Sequence, residues 1–255
     1  MADEKTSADH ESDRELAADG AGDLRSFGRR RGRKATERQR MLLETLLPEV
    51  AVGAPTFSND AQGAIDRLFG EPVRETWLEI GFGGGEHLVW QARANSDVGL
   101  IGAEPFEDGV VKVLSEIDAD RQTGDRKLAN VRLLADDVRP LLRALPQASL
   151  DRVFILFPDP WPKRRHAKRR LVQPPLVELL ARVMKPGAEL RVGTDIGDYA
   201  RTALLALTSS PDFVWQAAGP QDWRVRPSDW PGTRYEAKAI REGRCCYFLR
   251  FTRAK

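Results

Sequence analysis

From Val73 onward, short apolar runs alternate with segments of helical period, and this alternation constrains the fold more than any other feature of the chain. VRETWLEI, VGLIGAE, NVRLLA, LDRVFILF and AELRVGT read as five strands, separated by GEHLVWQARAN, EDGVVKVLSEIDAD, DVRPLLRAL and PPLVELLARVMK as helices. Parallel strands need long crossover connections, usually helical, so the pattern predicts an α/β fold with an open, mostly parallel sheet and helices on both faces. Pro186-Gly187 reads as the turn that ends the fourth helix, and IGDYARTALLALTSS as a further helix stopped by Pro211. FVWQAA and CCYFLRF bring the sheet to seven strands, as an antiparallel pair at one edge. Two short helical patterns, ERQRMLLETLLPEV and SNDAQGAIDRLFG, precede the first strand, with Ser58 or Asn59 as N-cap of the second.

At 255 residues the chain suits one α/β domain plus an extension. No apolar run approaches the roughly 18 residues of a membrane span, and the acidic N-terminus lacks the marks of a secretory or mitochondrial leader. A cytoplasmic protein without membrane association is expected. Cys245 and Cys246 are adjacent, which excludes a disulfide framework and a zinc site of spaced thiolates; they read as buried, reduced thiols in a strand, and no metal is expected. The net charge of +2 hides a segregation: Met1–Asp23 carries eight carboxylates against two basic residues, whereas GRRRGRK (Gly28–Lys34) is almost wholly cationic. Residues 1–35 therefore read as a disordered arm, acidic then basic, too poor in apolar surface to offset its ordering entropy. The basic stretch is either a solvated tail or an added source of phosphate affinity. Residues 36–255 read as the single folded domain.

LEIGFGGGEHL (Leu78–Leu88) places a glycine-rich turn directly after a strand and before a helix. Gly81, Gly83 and Gly85 allow a tight turn and close approach of backbone to a ligand, beside the free N–H groups of a helix start. Glu104 ends the second strand about 20 residues on, where an acid accepts hydrogen bonds from a ribose diol. Glu79 precedes the first glycine by two residues. That carboxylate would repel a pyrophosphate but favours a cationic cofactor such as S-adenosylmethionine. Asp136 or Asp137, after the third strand, is placed either to take an adenine amino group or simply to cap the next helix.

FILFPDPWPKRRHAKRRL (Phe154–Leu171) leaves the carboxyl end of the fourth strand, where Pro158, Pro160 and Pro162 favour a rigid, extended exit loop. Asp159 would face cofactor and substrate, and Trp161 offers either a stacking surface for a base or plain packing. Lys163, Arg164, Arg165, His166, Lys168, Arg169 and Arg170 form a cationic run whose natural partner is phosphate. Late in the chain, Asp195 in GTDIGDYA ends the fifth strand, and GTRYEAKAIREG supplies Thr233, Arg234, Tyr235 and Glu236. Asp195 and Glu236 also have the alternative of serving a helix start.

Taken together, LEIGFGGG, Glu104, FPDPWPKRRHAKRR, GTD and TRYE resemble the bacterial tRNA (guanine-N7-)-methyltransferases over about Arg40–Arg253. The resemblance implies a class I, Rossmann-like methyltransferase that uses S-adenosyl-L-methionine, releases S-adenosyl-L-homocysteine and modifies the variable-loop guanine at position 46 of tRNA. It implies cofactor contacts at Glu79, Glu104, Asp137 (rather than Asp136) and Asp159, beside the turn glycines Gly81 and Gly83. It also implies substrate contacts at Lys163, Asp195, Thr233, Arg234, Tyr235 and Glu236, and RNA contacts along Arg165, His166, Lys168, Arg169 and Arg170. Departures are GAEPF where GIEVH is commoner, a glycine-richer loop at Gly84, and Tyr235 in place of Phe. Asp159 is expected to be the central catalytic residue, with Asp195 as its partner in recognising the base. Monomer and homodimer both stay open, and a methyltransferase of another RNA or of a small molecule is the rival reading.

Overall fold

A computed structural model describes residues 35–53 and 61–255, together with Arg30 and Gly32. The expected arm thus lies almost wholly outside the described residues, as do Ser58 and Asn59. Seven strands, β1 (Glu75–Ile80), β2 (Val98–Ala103), β3 (Val131–Leu134), β4 (Leu150–Leu156), β5 (Met184–Thr194), β6 (Phe213–Trp215) and β7 (Tyr247–Arg253), form one sheet in the order β3-β2-β1-β4-β5-β7-β6. β1 to β5 pair in parallel, and β7 runs antiparallel between β5 and β6. This is the expected sheet, with its late antiparallel pair at one edge.

The first helix, α1, is continuous through Glu37–Met41, a π turn at Leu42–Leu46, and Leu47–Val50. Thr36 opens it with a capping box: its hydroxyl accepts from Gln39 N while the Gln39 side chain accepts from Thr36 N. There follow α2 (Ala61–Phe69), α3 (Glu86–Ala94), α4 (Glu107–Thr123), α5 (Val138–Ala144), α6 (Pro174–Val183), α7 (Gly197–Thr208), the short α8 (Gln221–Arg224) and α9 (Arg234–Arg241). Strand alternation divides the interior in two. Leu78, Ile80, Val153 and Ile155 enter a core shared with α2, α5, α6 and α7, whereas Trp77, Phe154 and Leu156 enter one shared with α1, α3 and α4. Burying a side chain such as Leu78 contributes about 1.5–3 kcal/mol, so both faces of β1 and β4 are firmly held. The chain steps from β3 across β1 to begin β4, which opens a crevice beyond the carboxyl ends of β1 and β4.

Two expectations need correction. Pro186-Gly187 does not follow the helix as a turn but lies inside β5, where pairing with β4 jumps from Leu150↔Met184 to Arg152↔Glu189. The intervening residues loop out because Pro186 lacks an N–H to donate and Gly187 takes a positive φ of 85°. Cys245 and Cys246 are likewise not buried in a strand: β7 starts at Tyr247, opposite the last residue of β5, so Cys245 is exposed and Cys246 half-buried. Partial burial, with Glu236 and Asp195 nearby, pushes the Cys246 thiol up to about 11, which keeps it protonated. No helix among the described residues is long and apolar enough to cross a membrane.

Candidate active site

The crevice holds a cleft of ≈ 360 Å³, framed by the glycine turn, the end of β2, the start of α5, the proline-rich exit of β4 and the start of α9. Its size lies in the range of small-molecule sites, roughly 300–1,000 Å³. Gly81, Gly83 and Gly85 all have positive φ, 74°, 57° and 80°, so the turn depends on glycine at each. Across the cleft floor, Gly83 N donates to Glu104 Oε2 at 2.7 Å and Phe106 N donates to Glu104 Oε1 at 2.9 Å. Each oxygen keeps a further lone pair, so the clamped carboxylate remains able to accept from a diol. Burial pushes the Glu104 carboxyl above its ordinary value. The two N–H bonds oppose that rise, and the charges of Asp159 and Glu79 add to it.

Helix α4 approaches the turn at Gly109, where a β-carbon would stand 2.1 Å from the Gly83 carbonyl oxygen and 3.1 Å from Glu104 Cγ. Sequence reading missed Gly109. Its signal, a glycine in the first helical turn after a strand-end acid, was present but has meaning only once the turn is seen to lie against it.

Asp136 and Asp137 both line the cleft. Asp137 also caps α5, accepting from Arg139 N at 2.8 Å, and pairs with the Arg139 side chain. Burial works against its ionised form, but the Arg139 hydrogen bonds and charge hold its carboxyl below the ordinary value. Asp136 instead meets Arg30 at 2.9 Å. On the opposite wall stand Phe157, Pro158, Asp159 and Trp161. The exit loop is not uniformly extended: Phe157 and Trp161 take φ of 50° and 42°, each just before a proline that disfavours the right-handed helical basin. Such backbone costs about 1–3 kcal/mol per residue and is typical of functional loops. Trp161 packs edge-on to His166 at 5.8 Å and under the Arg169 guanidinium at 5.2 Å, while still lining the cleft.

The cationic run forms a short 3₁₀ turn, Arg164–Arg169, on the rim. Lys163, Arg164, Arg165 and Lys168 are exposed, and Arg169 and His166 half-buried. Desolvation and then the charges of Arg169, Arg165 and Lys163 hold the His166 imidazole below its ordinary value. Arg170 departs from the expected RNA-facing role. It is 3% exposed and donates to Thr202 Oγ1 (2.6 Å), the Pro160 carbonyl (3.2 Å) and Asp198, so it fastens the loop to α7.

Glu79 is buried and is not among the cleft-lining residues; His87 Nδ1 lies 2.8 Å from its Oε2. Arg234 and Tyr235 line the cleft, and a β-carbon at Gly83 would stand 3.2 Å from the Tyr235 ring. Lys163, Asp195, Thr233 and Glu236 lie outside the cleft lining. Thr233 caps α9, its hydroxyl accepting from Glu236 N at 3.2 Å. Asp195 does not cap α7, whose N-cap residue is Ile196, but accepts from Arg244 Nε at 2.7 Å. Glu236 is buried, accepts from Arg226 Nε at 2.9 Å through Oε1, and has no partner for Oε2 among the described residues. A buried lone acceptor is costly unless a ligand completes it. Among the described residues, no group of three or more His, Cys, Asp or Glu is placed to hold a metal.

A family model described as "Putative methyltransferase" matches residues 73–249. The chain is 49% identical over 231 residues to the tRNA (guanine-N(7)-)-methyltransferase of Rhodospirillum rubrum, covering 91% of this chain and 88% of that protein. It is 48% identical to the protein of the same name from Ruegeria pomeroyi, covering 89% and 93%, and 45% identical to that from Hyphomonas neptunium, covering 88% and 98%. Among solved structures, the 16S rRNA methyltransferase KamB superposes with a TM-score of 0.52 at 16% identity, over 78% of this chain and 96% of that one, a likeness of fold.

Proposed function

The chain belongs to the tRNA (guanine-N(7)-)-methyltransferase family, and from that premise we propose that it transfers the methyl group of S-adenosyl-L-methionine to N7 of guanine 46 in the variable loop of tRNA. One arrangement carries the reading. A glycine turn and a clamped Glu104 face Asp159 across a single cleft, and an exposed cationic turn lies on its rim. Residues 36–255 would form the one catalytic domain.

The residues present fit the cofactor. Glu104 retains acceptor capacity for the ribose hydroxyls, the positive-φ turn offers close backbone approach, and Ile80, Ala103, Phe106, Val138 and Leu171 give an apolar lining for a base. Asp137 or Asp136 would receive the adenine amino group. When bound, the cofactor supplies an electrophilic methyl group on a sulfonium. Guanine N7 carries an in-plane lone pair, so no base need remove a proton before attack, and the protein's task is positioning, worth up to roughly 7–11 kcal/mol in ideal cases. Asp159 would orient the guanine and stabilise the positive charge that develops as N7 is alkylated. Asp195 and Glu236 would accept from N1–H and the 2-amino group, a donor pattern that adenine lacks. Lys163, Arg165, His166, Lys168 and Arg169 would hold phosphates, with Thr233, Arg234 and Tyr235 closing the substrate side.

The test is methyl transfer from labelled S-adenosylmethionine to unmodified tRNA transcripts carrying guanine or adenine at position 46, followed by nucleoside analysis. 7-Methylguanosine in the guanine transcript alone is expected. Label on another nucleoside refutes the site, and no label despite cofactor binding points to a small-molecule acceptor. Asp159→Asn with full turnover and unchanged tRNA affinity would refute its catalytic assignment.

A further inference from the structure

Helix α3 carries a buried histidine that the mechanism above does not use. His87 is 2% exposed, packs edge-on against Phe154 at 4.6 Å, and has both ring nitrogens in polar contact, Nδ1 with Glu79 Oε2 at 2.8 Å and Nε2 with Gln91 Nε2 at 3.2 Å. The Gln91 amide fixes which nitrogen carries the proton. Its Nε2 donates to the main-chain carbonyl of Asp229 at 3.1 Å, and its Oε1 accepts from Asn95 Nδ2 at 3.2 Å. The second amide hydrogen therefore points to His87 Nε2, which must accept, and this leaves the ring proton on Nδ1 to be donated to Glu79. Asp229 is itself anchored by Arg191 at 2.6 Å, and four residues later the chain reaches Thr233.

We propose that His87 and Gln91 are positioning residues that hold the Glu79 carboxylate beneath the glycine turn, so that it presents a fixed negative charge to the cationic methionine end of the cofactor. This rests on the reading of Glu79 as a cofactor acid. A lone carboxylate in this buried place would be free to rotate; the Nδ1–H bond fixes one oxygen and leaves the other. The relay also ties the β1 end to the segment that leads into α9, so cofactor and substrate residues share one polar support.

Isothermal titration with S-adenosylmethionine and with 5′-methylthioadenosine, which lacks the charged amino-acid end, separates this role from a merely structural one. Glu79→Gln and His87→Leu are each expected to weaken S-adenosylmethionine binding about tenfold while leaving methylthioadenosine within about twofold. His87→Asn, whose amide N–H takes the place of Nδ1–H, is expected to bind S-adenosylmethionine within about threefold of wild type. The double variant Glu79→Gln/His87→Leu is expected to be no weaker than Glu79→Gln alone. Equal loss of both ligands in His87→Leu, or an Asn variant as impaired as the Leu variant, overturns the relay. An unchanged affinity in Glu79→Gln overturns the reading of Glu79 itself. Should His87→Leu fail to fold, Gln91→Leu serves instead: a selective loss of S-adenosylmethionine binding of about threefold supports the relay, and a loss common to both ligands refutes it.

Discussion

Substituting Gly109 by alanine tests whether the proposed cofactor cleft depends on the close approach of α4 to the glycine turn. The new methyl group would stand 2.1 Å from the Gly83 carbonyl oxygen. A carbon–oxygen contact needs about 3.3 Å, so helix and turn must separate by about 1.2 Å. The obstacle is backbone on the turn side, and no flexible side-chain end can swing away. A shift of that size breaks the 2.7 Å bond from Gly83 N to Glu104. A hydrogen bond to a charged group contributes about 1.5–3 kcal/mol, which corresponds to a loss of roughly 10- to 150-fold in cofactor affinity. Stability should change less. Overpacking costs about 1–3 kcal/mol, and alanine recovers up to about 1 kcal/mol of helix propensity. Calorimetric titration of S-adenosylhomocysteine, with thermal unfolding of the ligand-free protein, reads both quantities. Gly219→Ala is the control, because nothing lies within 4 Å of a β-carbon there. A Gly109→Ala protein with wild-type affinity and wild-type Tm would refute the reasoning, since the turn could then retreat without penalty.

Glu104 predicts a pH dependence of opposite sign for stability and for binding. Its folded pKa is raised above 4.5, so its contribution to ligand-free stability is complete below 4.5 and is lost as pH rises through the raised value. Cofactor affinity should fall as pH drops, beginning above the ordinary carboxylate range, and titrations between pH 5 and 8 should show this acid limb flattened in Glu104→Gln. Arg170→Met removes the buried cation that joins the exit loop to α7, with its hydrogen bonds to the Pro160 carbonyl and Thr202; because Asp198 is mostly exposed and stays hydrated, a loss of roughly 1–2 kcal/mol in denaturant unfolding is expected from those bonds. Arg165→Ala with Lys168→Ala, both exposed, should leave unfolding unchanged and reduce the slope of log tRNA affinity against log salt by about 1–2; an unchanged slope would remove these residues from the RNA interface. Thr233→Ala removes the α9 cap and should cost about 1 kcal/mol, with a larger proportional fall in activity than in Tm if α9 presents the substrate residues.

Local chemistry was enough to locate the elements and the turn. Short apolar runs mark the central strands because these bury both faces, the 3.6 period marks the helices because each buries one, and Gly81, Gly83 and Gly85 mark the turn because their positive φ disfavours other residues. The same reasoning pointed to Glu104, Asp159 and either Asp136 or Asp137, all of which line the cleft by ending or following a strand; the choice of Asp137 came only from the family resemblance. It misjudged residues whose role depends on partners far along the chain. Arg170 reads as one more cation in its run, yet its burial depends on Asp198 and Thr202, 28 and 32 residues away. Pro186-Gly187 reads as a turn, and only the pairing of β4 with β5 makes it a bulge.

The sequence by itself therefore determined the strand and helix order, the position of the glycine turn and the charge of the rim, because these follow from periodicity, backbone sterics and composition within a few residues. Tertiary structure decided on which side of that turn each acid lies, how close α4 comes at Gly109, and which polar groups surround the His87 ring. The last depends on a bond from Gln91 to Asp229 across 138 residues, and no local preference encodes a contact that exists only when β1, α3 and the segment before α9 are packed together.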